Sequence, residues 1–139
     1  MAQYGQAPVG GPGLVDGVWL GQGPGTPGGL SGGQNNAYIS GLTAAGAAQA
    51  TATAMADGYK LYEFDTVASS TGAALPTAFA GRELKIYNKG AQTLTVYPAV
   101  ANNPITAAQD TINNTTSKTI AQYVSVTFWC AKDGVWAAQ

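Results

Sequence analysis

Glu83-Leu84-Lys85-Ile86-Tyr87-Asn88-Lys89-Gly90-Ala91-Gln92-Thr93-Leu94-Thr95-Val96-Tyr97-Pro98 decides the fold class. Leu84 and Ile86 alternate with Lys85, and Leu94 and Val96 alternate with Thr95. An alternation of period two places apolar side chains on one face of a strand. Asn88-Lys89-Gly90-Ala91 between the runs supplies turn chemistry, so the stretch reads as a hairpin. Pro98 ends the second run, because it has no N–H to give to a ladder.

The same rhythm extends outward in both directions. Val124, Val126, Phe128 and Cys130 alternate with Ser125, Thr127 and Trp129. Asp133-Gly134 then turns the chain into a short last strand at Val135-Trp136-Ala137. Further strands are expected near 38–43, 59–67 and 117–121. Residues 44–56 are ambiguous. The alanines from Ala44 to Ala50 favour helix by propensity, whereas Thr51 to Met55 alternates like a strand. A strand over 47–55 is the reading that fits its neighbours. Many short strands and little helix predict an all-β fold, a jelly-roll-type β-sandwich over 37–139.

Residues 1–36 differ in composition. They hold 12 Gly, 4 Pro and a single charged residue, Asp16. Glycine has a high ordering entropy and proline interrupts ladders, so this block reads as an extended arm rather than a domain. Leu14, Val15, Val18, Trp19 and Leu20 form an apolar cluster within it, which a solvated tail has no use for. They are candidate contacts to a capsid or to a neighbouring subunit. The glycines keep no period of three, which excludes collagen.

Charged residues make up only 9% of the 139 residues, against roughly 25% in ordinary soluble domains. The net charge is −1, and the six basic residues are scattered. A nucleic-acid partner is therefore not expected, because phosphate binding needs a concentrated basic surface. No apolar run approaches the length of a membrane span, and no signal peptide is read at the N-terminus. The surface must be covered largely by uncharged groups, supplied here by 25 Ala, 15 Thr and many Gln, Asn and Gly. Few charges mean little mutual repulsion and a tendency to associate.

Catalytic equipment is sparse. With no histidine and one cysteine, the usual general base and an ordinary zinc site are both missing. Glu63 and Asp65 share one strand face at i and i+2, a formal match to a paired-carboxylate site, but a solvated strand face explains them better. The glycine-rich arm has no Gly-Lys-Ser/Thr ending and so does not read as a phosphate loop. Asn113-Asn114-Thr115-Thr116 contains overlapping N-glycosylation patterns of the kind that arise by chance. No catalytic, cofactor-binding or metal residue is assigned. Trp129 and Tyr123 are possible interface residues, since an out-of-phase aromatic can fill an interface or stack on a sugar.

Several stretches carry a family resemblance. Gly41-Leu42-Thr43-Ala44-Ala45-Gly46 and Gln49-Ala50-Thr51-Ala52 begin it. Gly72-Ala73-Ala74-Leu75-Pro76, Ala80-Gly81, Ile86-Tyr87-Asn88-Lys89-Gly90 and Leu94-Thr95-Val96-Tyr97-Pro98 continue it. Val124-Ser125-Val126-Thr127-Phe128 and Gly134-Val135-Trp136 close it. Over about 41–137 the chain resembles the head decoration, or cement, proteins of tailed bacteriophages. The resemblance implies a jelly roll that self-associates; because two-fold association is commonest, a dimer is expected, with a trimer next. It implies a major capsid protein as partner and a place on the outer capsid surface of the virion, after synthesis in the host cytoplasm. Similar modules in phage fibres and tails, or a carbohydrate-binding attachment module, are the alternative. The family has no catalytic residues to carry over.

Overall fold

Each short alternating run in the described part of the chain sends one side-chain row into a shared core. The computed structural model describes residues 37–139. Ten strands form there: β1 (Tyr38–Thr43), β2 (Thr53–Ala54), β3 (Leu61–Thr66), β4 (Gly72–Ala74), β5 (Glu83–Asn88), β6 (Leu94–Tyr97), β7 (Thr111–Ile112), β8 (Lys118–Ile120), β9 (Val124–Lys132) and β10 (Val135–Ala138). The one helical element among the described residues is a 3-10 turn at Gln49–Thr51. The all-β reading holds.

The strands form two sheets. The larger runs β1-β3-β5-β9-β10-β7, and the smaller β2-β4-β6-β8. In the larger sheet β1, β3 and β5 lie parallel, and in the smaller so do β2, β4 and β6. The chain thus alternates between sheets and advances one strand at each return. Three coils of a β-solenoid result. Residues 111–138 then close the stack with reversed strands: β8 runs antiparallel to β6, β9 antiparallel to β5, and β10 folds back on β9 with β7 parallel beside it.

This differs from the expected jelly roll, whose neighbouring strands run antiparallel, because five of the eight ladders here are parallel. The expected hairpin of 83–87 with 93–97 is also overturned. Those runs are β5 and β6, which belong to different sheets and do not pair. Their alternation is real, but Leu84, Ile86, Leu94 and Val96 meet across the core from facing sheets. Asn88–Gly90 is a coil corner, not a hairpin turn. The amide of buried Asn88 donates to the carbonyls of Gln92 (2.8 Å) and Ile120 (2.9 Å), and its oxygen accepts from Gly90 N–H (3.0 Å). A Cβ at Gly90 would lie 2.5 Å from the Val67 backbone nitrogen, so only glycine lets this corner stack on the previous one.

The C-terminal hairpin, by contrast, stands as read. Asp133-Gly134 joins β9 to β10, with Gly134 at φ +84. Val126, Phe128 and Cys130 are buried as their alternation requires, whereas Val124, at the sheet end, is exposed. The strands expected near 38–43, 59–67 and 117–121 are β1, β3 and β8. The strand expected over 47–55 shrinks to the two residues of β2. Gln49 holds the 3-10 turn before it by donating to the carbonyls of Pro98 (3.1 Å) and Ala99 (2.9 Å).

The core lies between the sheets. Tyr62, Phe64, Ile86, Phe128 and Trp136 enter from the larger sheet, and Ala73, Leu94, Val96 and Ile120 from the smaller. Phe128 and Trp136 meet edge to face at 6.4 Å. Each such large side chain contributes about 1.5–3 kcal/mol on full burial.

Candidate interaction surfaces

The two exposed-aromatic candidates occupy different places. Tyr123 sits in the turn that carries the chain from β8 to β9. Its N–H donates to Asn88 O (2.7 Å), which fixes the backbone at φ +61, in the left-handed region. That region is unfavourable for a bulky side chain. The ring projects outward with 66% of its surface exposed, next to exposed Val124. Trp129 lies on the outer face of β9, between Glu83 of β5 and Ala137 of β10, and is half-buried. Tyr123 and Trp129 therefore stand at separate positions along β9 and its leading turn and do not form one aromatic platform. Leu14, Val15, Val18, Trp19 and Leu20 lie outside the described residues.

Glu63 and Asp65 do lie together, on the outer face of β3. Lys89 reaches both, at 3.7 and 3.6 Å, and Tyr38 Oη donates to Glu63 (2.8 Å). The attraction of Asp65, and then of Glu63, raises the Lys89 pKa. Two carboxylates sharing one lysine and one tyrosine form a surface ion-pair cluster, a substitute for self-repulsion. The parallel register explains it. Tyr38, Leu61 and Lys85 fall in one row across β1, β3 and β5, and Glu63 falls beside Tyr87. Sequence reasoning had placed only the two carboxylates, because the partners come from neighbouring coils rather than from a hairpin.

The buried polar groups have structural partners. Asp110 accepts from the N–H of Ala78 (2.8 Å) and from the Asn103 amide (2.9 Å). Asn103 also donates to Ala78 O and accepts from the N–H groups of Ile105 and Thr106, which ties the long connection after β6 to the corner at Ala78. Val100 and Ile105 project from that connection with half or more of their surface exposed. Cys130 is buried against the sheet interior, and its burial pushes the thiol up to about 12, which makes it a poor nucleophile. Among the described residues no group of three or more His, Cys, Asp or Glu side chains could hold a metal ion, and no helix is long and apolar enough to cross a membrane.

No family model, curated protein or solved structure matches this chain.

Proposed function

We propose that this chain is a non-enzymatic structural protein of a tailed-phage virion, which binds the outer surface of an icosahedral head and stabilises it by bridging major capsid protein subunits. The observation that carries this reading is the chain's poverty of charge, 9% of residues; the outer faces of β3 and β5 carry the charged side chains Glu63, Asp65, Glu83 and Lys85, while those of β1 and β9 bear Tyr, Ser, Thr, Ala and Trp. Such a surface meets protein neighbours at small desolvation cost, whereas buried unpaired charges would cost several kcal/mol each. The resemblance to head decoration proteins supplies the partner, and the apolar cluster Leu14–Leu20 in a glycine-rich arm supplies an anchoring element. Many copies acting together resist head opening even where each binds modestly.

The test is a deletion of residues 2–30. The truncated chain is expected to keep its β core by far-UV circular dichroism, yet to lose its protection of purified heads against heat or chelator. Normal decoration and protection by the truncated chain would refute the arm's role.

A second reading is attachment to a host glycan, and the strained, exposed Tyr123 favours it. Tyr123→Asn suits the left-handed backbone better and removes the ring. Loss of specific glycan-array binding in this variant, with undiminished fold stability, would select attachment over cementing.

A further inference from the structure

Charge is distributed unevenly over the described body. Asp57 to Asp65 and Arg82 to Lys89 hold most of it, on β3, β5 and the corners beside them. Residues 44–56, 66–81 and 90–109 hold none. Those stretches are the passes of the chain through β2, β4 and β6 of the smaller sheet, together with the connection after β6. Lys118 of β8, half-buried beside Val96, is the one charged residue in the strands of that sheet.

Two of these uncharged stretches meet. Val96 faces the core, so Tyr97 beside it faces outward, and its hydroxyl donates to Ala47 O (3.2 Å). The Gln49 amide donates to the carbonyls of Pro98 (3.1 Å) and Ala99 (2.9 Å), and the Gln109 amide also donates to Ala99 O. Segment 45–51 is thereby strapped to the connection 98–109. Each is fixed by its own backbone. A Cβ at Gly46, at φ +70, would lie 2.1 Å from Thr51 O, so the strap folds tightly back on itself. In the connection, Ala107 N–H donates to Asn103 O and Asn103 N–H to Ala108 O, both at 2.8 Å. Ala107 sits at φ +59, in the left-handed region that alanine rarely adopts. The side chains they present outward are small and apolar. Ala47, Ala48 and Ala50 of the strap are exposed, as are Val100, Ala101 and Ile105 of the connection.

We propose that this uncharged surface, 45–51 together with 98–109, binds the same surface of a second copy of the chain across a two-fold axis. Charge selects that occupant. A two-fold interface sets one patch upon itself, so a charge near the axis meets its like, at a cost. A patch without charge avoids the cost. A partner of different sequence is matched better by a patch whose charges complement its own. The outer faces of β3 and β5 have charges to offer, and this surface has none. The alanines lose no rotamer freedom on burial, and Val100 and Ile105 supply apolar area on a backbone already held in place. The inference concerns self-association and stands or falls independently of head binding.

Sedimentation velocity over a concentration series tests it on the full-length chain. A monomer–dimer equilibrium is expected. Ile105 is 65% exposed, so Ile105→Lys leaves the core intact while placing two ammonium groups in the interface. It should weaken association about tenfold or more, with an unchanged circular dichroism spectrum. Ala48→Lys, which enters the same surface from the strap, should do likewise. Lys85→Glu, on the outer face of β5, should leave association unchanged. Hydrogen exchange at concentrations above and below the transition should slow within 45–51 and 98–109 on association. A full-length chain that stays monomeric, lysine variants that associate as wild type does, or a Lys85→Glu variant that dissociates as they do would each overturn the proposal. So would protection that appears on β3 and β5 instead.

Discussion

Asn88 is expected to be the side chain on which the coil corner depends through hydrogen bonding, not through volume. Its amide group satisfies the carbonyls of Gln92 and Ile120, and its oxygen satisfies Gly90 N–H. Asn88→Ala removes three hydrogen bonds and leaves the buried Ile120 carbonyl without this partner. At about 1 kcal/mol for a typical bond and 1–3 for a buried group left unsatisfied, the loss is about 3 kcal/mol. For a body of about 100 residues this lowers Tm by about 12–24 °C. Asn88→Asp separates the two explanations, since it has nearly the same shape. It keeps the acceptor for Gly90 but turns an oxygen toward two carbonyl oxygens. Urea denaturation followed by circular dichroism at pH 7 should show Asn88→Asp at least as unstable as Asn88→Ala. Its stability should improve toward pH 4, where the carboxyl can protonate and donate one of the lost bonds. An Asn88→Asp protein within about 0.5 kcal/mol of wild type at pH 7 would refute the hydrogen-bond account, since the smallest effect expected for one lost bond is of that order.

Gly90→Ala should cost about 1–3 kcal/mol in the same urea assay, because the new methyl group meets the Val67 backbone at 2.5 Å and cannot be relieved by a rotamer change. Cys130 should make stability fall at high pH. Burial raises its pKa from 9.0 to about 12, so between these values the unfolded chain has lost the thiol proton while the folded chain keeps it. The stabilisation is complete below pH 9 and is lost progressively toward pH 12, by up to about 1.4 kcal/mol per pH unit. The stability advantage of wild type over Cys130→Ala should therefore narrow from pH 9 to pH 11, and a constant difference would rule the thiol out.

Much of the strand content was legible in local pattern, and the pairing was not. Period-two alternation locates β3, β5, β6 and β9 whichever partner each takes, because it reports only that one face is buried. It carries no information on whether the next run returns beside the first or crosses to a facing sheet. Asn88-Lys89-Gly90-Ala91 has the composition of a hairpin turn, yet Asn88 spends its amide on β8 and Gly90 exists for the approach of Val67, a residue from the previous coil. Both causes lie more than 20 residues away. β2, at two residues, is too short to show any period at all.

The same distinction decides what a sequence reveals of the surfaces. Tyr123 is visible as an aromatic ahead of an alternating strand, but its left-handed backbone follows from the bond to Asn88 O, and only that bond turns an ordinary exposed tyrosine into one held at a conformational cost. Glu63 and Asp65 resemble a catalytic pair in sequence because their spacing puts them on one face. Lys89 and Tyr38, brought in from the neighbouring coils, occupy them both. Coil spacing is the signal that ties these cases together. Once the 24-residue offset between β3 and β5 is known, it orders the outer-face residues of β3 and β5 into rows.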